Sequence, residues 1–224
     1  MRLPRPIPTR RAALGLLGAA ALAPCLPVRA LAAAPSAYRF LIVHEGTAIG
    51  RHEVGIAPEP GGFRATSRIE AEVKLGFVTL FSYRQEAVDR WRGGVLVQSR
   101  IETDDQGERS TVEVLAEGGR LLVTGAGGTV EAPLGAMTDL CFYNPGIVRE
   151  PRLIDGKRGG IVPIQADATA KEALTIAGRR VQAERWRIEA EGVRSGLVWY
   201  DGEGRWVRGR VKTEEGETVD YIMA

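Results

Sequence analysis

The sequence predicts an all-β protein: a single antiparallel meander of about ten to twelve strands, curled into a barrel or an open half-barrel. Three observations support this fold class. Apolar residues repeat with a period of two, glycine-rich turns separate the alternating segments, and one region near residues 134–147 breaks the pattern. Because large flat sheets are disfavoured, a meander with this many strands is expected to curl.

The alternation is clearest between residues 69 and 75. Ile69, Ala71, Val73 and Leu75 alternate with charged residues, which is typical of a strand with one buried and one solvated face. The same period recurs in three later segments: 95–101, 112–114 and 207–211. Between two of these segments, Gly118-Gly119 can supply the positive φ angles of a two-residue hairpin turn.

The alternation changes phase in one strand. The apolar positions shift from Ala183 to Ile188 and Ala190, which predicts a β-bulge near Glu184-Arg185.

The region 134–147 lacks alternation altogether and ends at Asn144-Pro145-Gly146. We interpret it as one short helix or ordered connector that covers an open end of the sheet.

The first 32 residues have the features of an export signal. Arginines precede the apolar stretch Ala12–Ala23, and Ala30-Leu31-Ala32 offers a cleavage site near Ala32. The pair Arg10-Arg11 before the apolar stretch resembles a twin-arginine signal. The stretch is shorter than the roughly 20 residues that a spanning helix needs, so we expect no transmembrane span in the mature chain. The predicted organisation is an export signal at 1–32 and one periplasmic β-rich domain at 33–224.

Removing this signal changes the charge of the chain. The 30 basic and 28 acidic residues of the whole sequence lose five arginines and no acids, which leaves 25 basic against 28 acidic residues and a net charge of −3. Nucleic-acid binding needs a clustered surplus of positive charge. We therefore expect no nucleic-acid partner.

The aromatic residues are the best candidates for contacts with a ligand. Trp91 lies between Arg90 and Arg92, and on a strand such neighbours point to opposite faces, so tryptophans are expected inside and arginines outside. Inward aromatic side chains either fill the core or line a cavity for a hydrophobic or lipid-like molecule. The predicted ligand-binding residues are Trp91, Trp186, Trp199, Trp206, Phe81 and Tyr200.

Few residues suggest catalysis or metal binding. Cys141 lies between Leu140 and Phe142, which favours a small buried hydrophobe over a nucleophile. His44 and His52 are the two histidines and lack the spacing of a natural metal site. We assign no catalytic residue, no metal and no cofactor.

Four strings have a familiar order: YRFLIVHEGTAIGRHEV near the start, YRQEAVDRWRGGVLVQSRIETDDQGE at 83–108, LIDGKRGGIVPI at 153–164 and LVWYDGEGRWVR at 197–208. Together they resemble an uncharacterised family of exported bacterial β-rich proteins, domain of unknown function 6134, over nearly all of residues 38–223. Asp89 stands where the family pattern has Glu, and the connector lacks a Trp near Phe142. The resemblance implies an exported β-rich fold and carries no catalytic residues.

Three functions fit the sequence. The first is a non-enzymatic periplasmic protein that holds a hydrophobic or lipid-like ligand inside a barrel-like fold. The second is a periplasmic enzyme, such as a hydrolase, with Cys141 or the His44/His52 hairpin at its site. The third is a structural or partner-binding β module that uses exposed sheet edges, which predicts a long unpaired strand flanked by apolar surface.

Overall fold

The computed structural model describes residues 37–75, 77–213 and 216–224. Within these ranges thirteen strands form one antiparallel sheet and three short strands form a second sheet. The large sheet contains β1 (Ala37–His44), β2 (Thr47–Glu59), β3 (Gly62–Leu75), β4 (Val78–Arg92), β5 (Val95–Asp105), β6 (Glu108–Glu117), β7 (Arg120–Gly125), β8 (Gly128–Pro133), β12 (Gln165–Ile176), β13 (Arg179–Ala190), β14 (Arg194–Asp201), β15 (Trp206–Lys212) and β16 (Thr218–Met223). The small sheet contains β9 (Met137–Thr138), β10 (Arg152–Ile154) and β11 (Ile161–Pro163).

The large sheet consists of two meanders, β1–β8 and β12–β16, joined where the last strand pairs with the first. Ile42 of β1 lies opposite Tyr221 of β16 in this central pairing. The two outer strands, β8 and β12, are not paired with each other, so the sheet is open. The all-β fold class is confirmed. The large sheet has thirteen strands, one more than the upper limit of the expected ten to twelve. The three strands of the small sheet have only two or three residues each and are too short to show a period of two.

The inner face of the sheet is filled by the segment between the two meanders. This connector contains two 3₁₀ turns, Cys141–Tyr143 and Pro145–Arg149. The Asn144 side chain accepts a hydrogen bond from the backbone N–H of Gly146 at 3.0 Å and so caps the second turn. The expected short connector near 134–147 is confirmed. Its sequence does not alternate because the segment is covered on several sides: Leu140, Cys141, Phe142 and Ile147 are all buried.

One continuous core joins the connector to both meanders. It includes Phe40 of β1, Ile101 of β5, Val123 of β7 and Ile188 of β13. Strands that are far apart in the sheet order thus share a single core, which requires the sheet to curl around the connector.

The structure also places a smaller apolar cluster on the opposite, outer face of the sheet. Ala183, Trp199 and Val207 are buried there, and Leu174 and Met223 pack against them. This cluster explains the phase change in β13, because Ala183 is buried on the outer face and Ile188 on the inner one. The expected bulge at Glu184-Arg185 is wrong in position. β13 pairs with β14 without a register shift, and the bulge lies in β12 between Ala168 and Ala170.

Two further points of the fold concern turns and helices. Gly118 and Gly119 have φ angles of 58° and 81°, so the expected hairpin turn between β6 and β7 is confirmed. In the described ranges, no helix is long and apolar enough to cross a membrane. The predicted export signal at residues 1–32 lies outside the described residues.

Candidate functional site

An apolar depression lies on the outer face of the sheet, and we call it the outer groove. Its volume is about 170 Å³. The lining residues are Leu174, Thr175, Ile176, Val207, Arg208, Ile222 and Met223. They come from β12, β15 and β16, although β13 and β14 separate β12 from β15 in the sheet. The end of the β12–β13 hairpin therefore curls over the outer face and forms one wall of the groove.

Arg208 supplies the positive charge of the outer groove. Its guanidinium carbon lies 5.2 Å from the centroid of the Trp199 ring, a cation–π distance. Its Nη2 is 3.6 Å from Oδ1 of Asp220, a carboxylate that already accepts two shorter hydrogen bonds from Arg210, at 2.8 and 3.0 Å. The Nε of Arg208 is buried and has no hydrogen-bond partner among the described residues. The Arg208 side chain as a whole is 34% exposed, so part of the guanidinium is accessible beside the apolar walls.

The inner face holds a much smaller cavity. Its volume is about 30 Å³, which is room for only one or two water molecules. His52, Phe142, Arg194, Trp206 and Tyr221 are among the residues that line it. The connector has taken the space in which a ligand was expected.

His52 is a buried imidazole at this inner cavity. Its Nε2 lies 2.8 Å from Oγ of Ser67, and its Nδ1 has no partner within the described part of the chain. Burial, with a smaller contribution from the positive charge of Arg194, lowers the pKa of His52 from 6.5 to about 3. His52 is therefore neutral at physiological pH.

Arg194 is fixed on the same side of the core by Asp139 of the connector. Its Nη2 donates to Oδ2 of Asp139 at 2.6 Å, and the other carboxylate oxygen accepts from the backbone N–H of Gly156 at 2.9 Å. The guanidinium also lies 5.8 Å from the centroid of Phe142. This ion pair attaches the connector to β14.

A second polar network attaches the connector to β4. The Tyr143 hydroxyl donates to Oδ2 of Asp89 at 2.7 Å and accepts from Nε1 of Trp91 at 2.9 Å. Burial raises the pKa of Asp89, and hydrogen bonds from Ser99 and Tyr143 lower it in part. Because this network is buried, it holds the connector in the core and is not accessible to a substrate.

Cys141 belongs to this network and is fully buried. Its Sγ lies 3.2 Å from Oγ1 of Thr138, 3.6 Å from the Tyr143 hydroxyl and 3.8 Å from Oδ2 of Asp89. Burial first, and the Asp89 charge second, raise the pKa of the thiol. A nucleophilic cysteine needs the opposite environment, an accessible site with a nearby base or cation.

The two histidines have different hydrogen-bond partners, and neither is bonded to Cys141. His44 is bonded to Glu217 at 3.1 Å, whereas His52 is bonded to Ser67. Among the described residues no group of three or more His, Cys, Asp or Glu side chains could hold a metal ion. The structure does not bring the candidates of the enzyme hypothesis into one cleft.

The predicted ligand-binding aromatics fall into three groups. Trp91, Trp206 and Tyr200 are buried in the inner core; Trp206 lies 4.2 Å from the Phe40 ring, and Tyr200 donates to the Phe142 carbonyl at 3.0 Å. Trp186 is half-buried against the same core, and Phe81 is half-buried on β4. Trp199 faces the outer cluster, so the expectation that all four tryptophans point inward is wrong at this position. Their contact with a ligand stays a prediction.

The apolar walls of the outer groove were not identified from the sequence. Leu174 and Ile176 alternate with polar residues at the end of β12, which is the pattern of one apolar strand face. This signal marks them as half-buried residues. It does not say which face of the sheet they cover.

The geometry defines a class of protein: an open, curled antiparallel sheet with a plugged interior and an apolar groove on its outer face. The chain belongs to the family described as Domain of unknown function (DUF6134), whose sequence profile matches residues 40–224. A comparison with curated proteins found no match.

Two solved structures are similar in fold to different degrees. A β-barrel-like protein of domain of unknown function DUF1849 from Brucella abortus aligns with a TM-score of 0.60 at 9% identity, over 84% of this chain and 94% of that chain. A DUF1089 family protein from Pseudomonas aeruginosa aligns with a TM-score of only 0.32 at 15% identity, over 78% and 90% of the two chains. The first similarity supports the barrel-like fold alone. The TM-score of the second is too low to support any conclusion about the fold.

Proposed function

We propose that the protein is an exported, non-catalytic binding protein of the periplasm that holds a small lipid-like amphiphile in the outer groove. The observation that carries this proposal is the Arg208 guanidinium beside apolar walls in a groove of about 170 Å³, with an Nε that has no hydrogen-bond partner among the described residues. An apolar cavity of roughly 150 Å³ holds a molecule the size of benzene. The groove is thus suited to a short acyl segment with an anionic head, such as a fatty acid.

The filled interior supports the placement of the ligand on the outer face. A cavity of about 30 Å³ excludes an acyl chain from the inner core unless the connector leaves it. The connector is held by Tyr143 and by the Asp139–Arg194 ion pair, and its displacement would leave buried charged groups without partners.

Calorimetric titration with dodecanoate and dodecanol tests this proposal. We expect dodecanoate to bind, and Arg208→Gln to weaken its binding by roughly tenfold or more while leaving dodecanol binding little changed, because only the carboxylate uses the guanidinium. Leu174→Asp should weaken both probes, because it places a carboxylate in an apolar wall.

Val130→Asp is the matched control, since Val130 is an exposed apolar residue of β8 that does not line the groove. It should bind both probes as the unmodified protein does. Absence of any binding heat, or equal loss in the Val130 and Leu174 variants, contradicts the proposal.

A second candidate function rests on the open edge of the sheet. β12 has twelve residues and is paired on one side only among the described strands, and its last residues line the apolar groove. A long strand with one free edge beside apolar surface is the arrangement by which a partner's strand is added to a sheet. This function predicts that the edge amides of β12 exchange rapidly with deuterium in the isolated protein. Slow exchange there contradicts it.

A further inference from the structure

The β3–β4 hairpin projects beyond its neighbours in the sheet. The pairing of β2 with β3 ends at Ala71, and that of β4 with β5 ends at Tyr83. Beyond these positions the two strands pair with each other, as at Lys74 and Thr79, and the Ser82 carbonyl accepts one further bond, from the backbone N–H of Gln106 at 2.9 Å. The result is a two-stranded arm that extends roughly 13 Å, at about 3.3 Å per residue, past the edge of the neighbouring strands. We call residues 72–75 and 77–82 the β3–β4 arm.

The tip of the arm carries the most exposed apolar side chains of the described chain. Phe77 has a relative exposure of 107%, Val78 of 61% and Leu80 of 57%. An apolar residue exposed singly on a surface is ordinary, whereas three within four positions form a patch that marks an interaction site. Burying Phe77 against another surface would break no packing contact within the protein, because its side chain is fully exposed.

The charges next to the tip are balanced. Lys74 is paired with Glu72 at 2.8 Å, and Arg84 lies 3.7 Å from Glu70. The sequence between Lys74 and Arg84 contains no charged residue. A surface contacted by this arm is therefore recognised through apolar burial and not through net charge.

We infer that the β3–β4 arm docks the protein on a lipid bilayer by inserting Phe77, Val78 and Leu80 into the interfacial region. Phe77 lies in the turn, and Val78 and Leu80 lie on the strand that follows it, so the three apolar side chains are spread over the end of a projecting hairpin. A bilayer interface supplies an apolar medium to a depth of about 5–10 Å, which is within the length of the arm. If the protein is exported as the sequence predicts, it is close to the membranes that enclose the periplasm.

Vesicle sedimentation tests this inference. The purified protein is mixed with sucrose-loaded vesicles of phosphatidylcholine, alone or with phosphatidylglycerol, and the bound fraction is measured. We expect binding to both compositions with similar strength, because the charges flanking the tip cancel. Phe77→Ser should lower the partition coefficient by roughly tenfold, since it removes the largest apolar surface that would be buried.

Leu115→Ser is the matched control, because Leu115 is 52% exposed on β6 in the body of the sheet. It should bind vesicles as the unmodified protein does. Thermal unfolding of both variants should match that of the unmodified protein, which excludes misfolding as the cause of lost binding.

Three results overturn the inference: no sedimentation with either composition, binding only to the anionic vesicles, or equal loss in the two variants. A protein that fails to bind vesicles but loses a protein partner on Phe77→Ser would also overturn it, since the arm would then occupy a protein pocket. Dodecanoate binding in the outer groove is independent of all four outcomes.

Discussion

His52 makes the folded state sensitive to acid, because its imidazole is buried without a countercharge. It is 2% exposed, and rings of Phe40, Trp206 and Tyr221 surround it at centroid distances of 6.3, 5.3 and 5.7 Å. Burial, followed by the Arg194 charge, lowers its pKa to about 3 in the folded protein, compared with 6.5 in an unfolded chain. Protonation of the folded state is therefore strongly disfavoured.

The sign of the effect follows from this difference in pKa. Between pH 6.5 and 3 the unfolded chain binds a proton at His52 and the folded protein does not, so the free energy of unfolding decreases as the pH falls. At pH 5 this proton stabilises the unfolded chain by about 2 kcal/mol. The full loss, reached near pH 3, is about 5 kcal/mol.

Urea unfolding at pH 7.5 and pH 5.0 measures this contribution. His52→Gln retains an amide that can bond to Ser67 and does not titrate, so the unmodified protein should lose about 2 kcal/mol more than the variant between the two pH values. His44→Gln is the control and should keep the larger loss, because it leaves the buried His52 in place. Equal losses in the unmodified protein and His52→Gln would refute the reasoning.

Three further predictions concern packing and access. Tyr143→Phe should lower the free energy of unfolding by about 2–4 kcal/mol in urea unfolding, since Asp89 and Trp91 both lose a buried partner; a loss under about 1 kcal/mol contradicts the network. Gly196→Ala should cost about 3 kcal/mol or more, because its Cβ would overlap a backbone carbonyl of β15; an unchanged melting temperature would be inconsistent with the close strand approach. A thiol reagent should label Cys141 at neutral pH only on unfolding, and fast labelling of the folded protein argues against a buried thiol.

The strands could be predicted because most of them bury one face and solvate the other. In β5, for example, Ser99 and Ile101 are buried while Arg100 and Glu102 are exposed, which produces the period of two in the sequence. A strand that changes its buried face, such as β13, gives the same signal as a bulge. Only the structure, in which Ala183 and Ile188 pack on opposite faces of the sheet, distinguishes a change of buried face from a bulge.

The placement of the connector and of the groove could not be predicted, because both depend on contacts between segments far apart in sequence. Tyr143 reaches Asp89 across 54 residues, and Arg194 reaches Asp139 across 55. An aromatic residue such as Trp199 carries no local signal that distinguishes an inner from an outer face when both neighbours are buried. The number and alternation of the strands indicated a barrel-like interior, and the connector fills this interior.

A crystal structure of the protein with dodecanoate tests directly whether the ligand binds in the outer groove. We expect acyl density among Leu174, Val207 and Met223, with the carboxylate within hydrogen-bond distance of the Arg208 guanidinium and the connector unmoved. Dodecanoate bound in the inner core beside Trp206, with the connector displaced, would contradict binding in the outer groove. A groove left empty at saturating dodecanoate would contradict it as well.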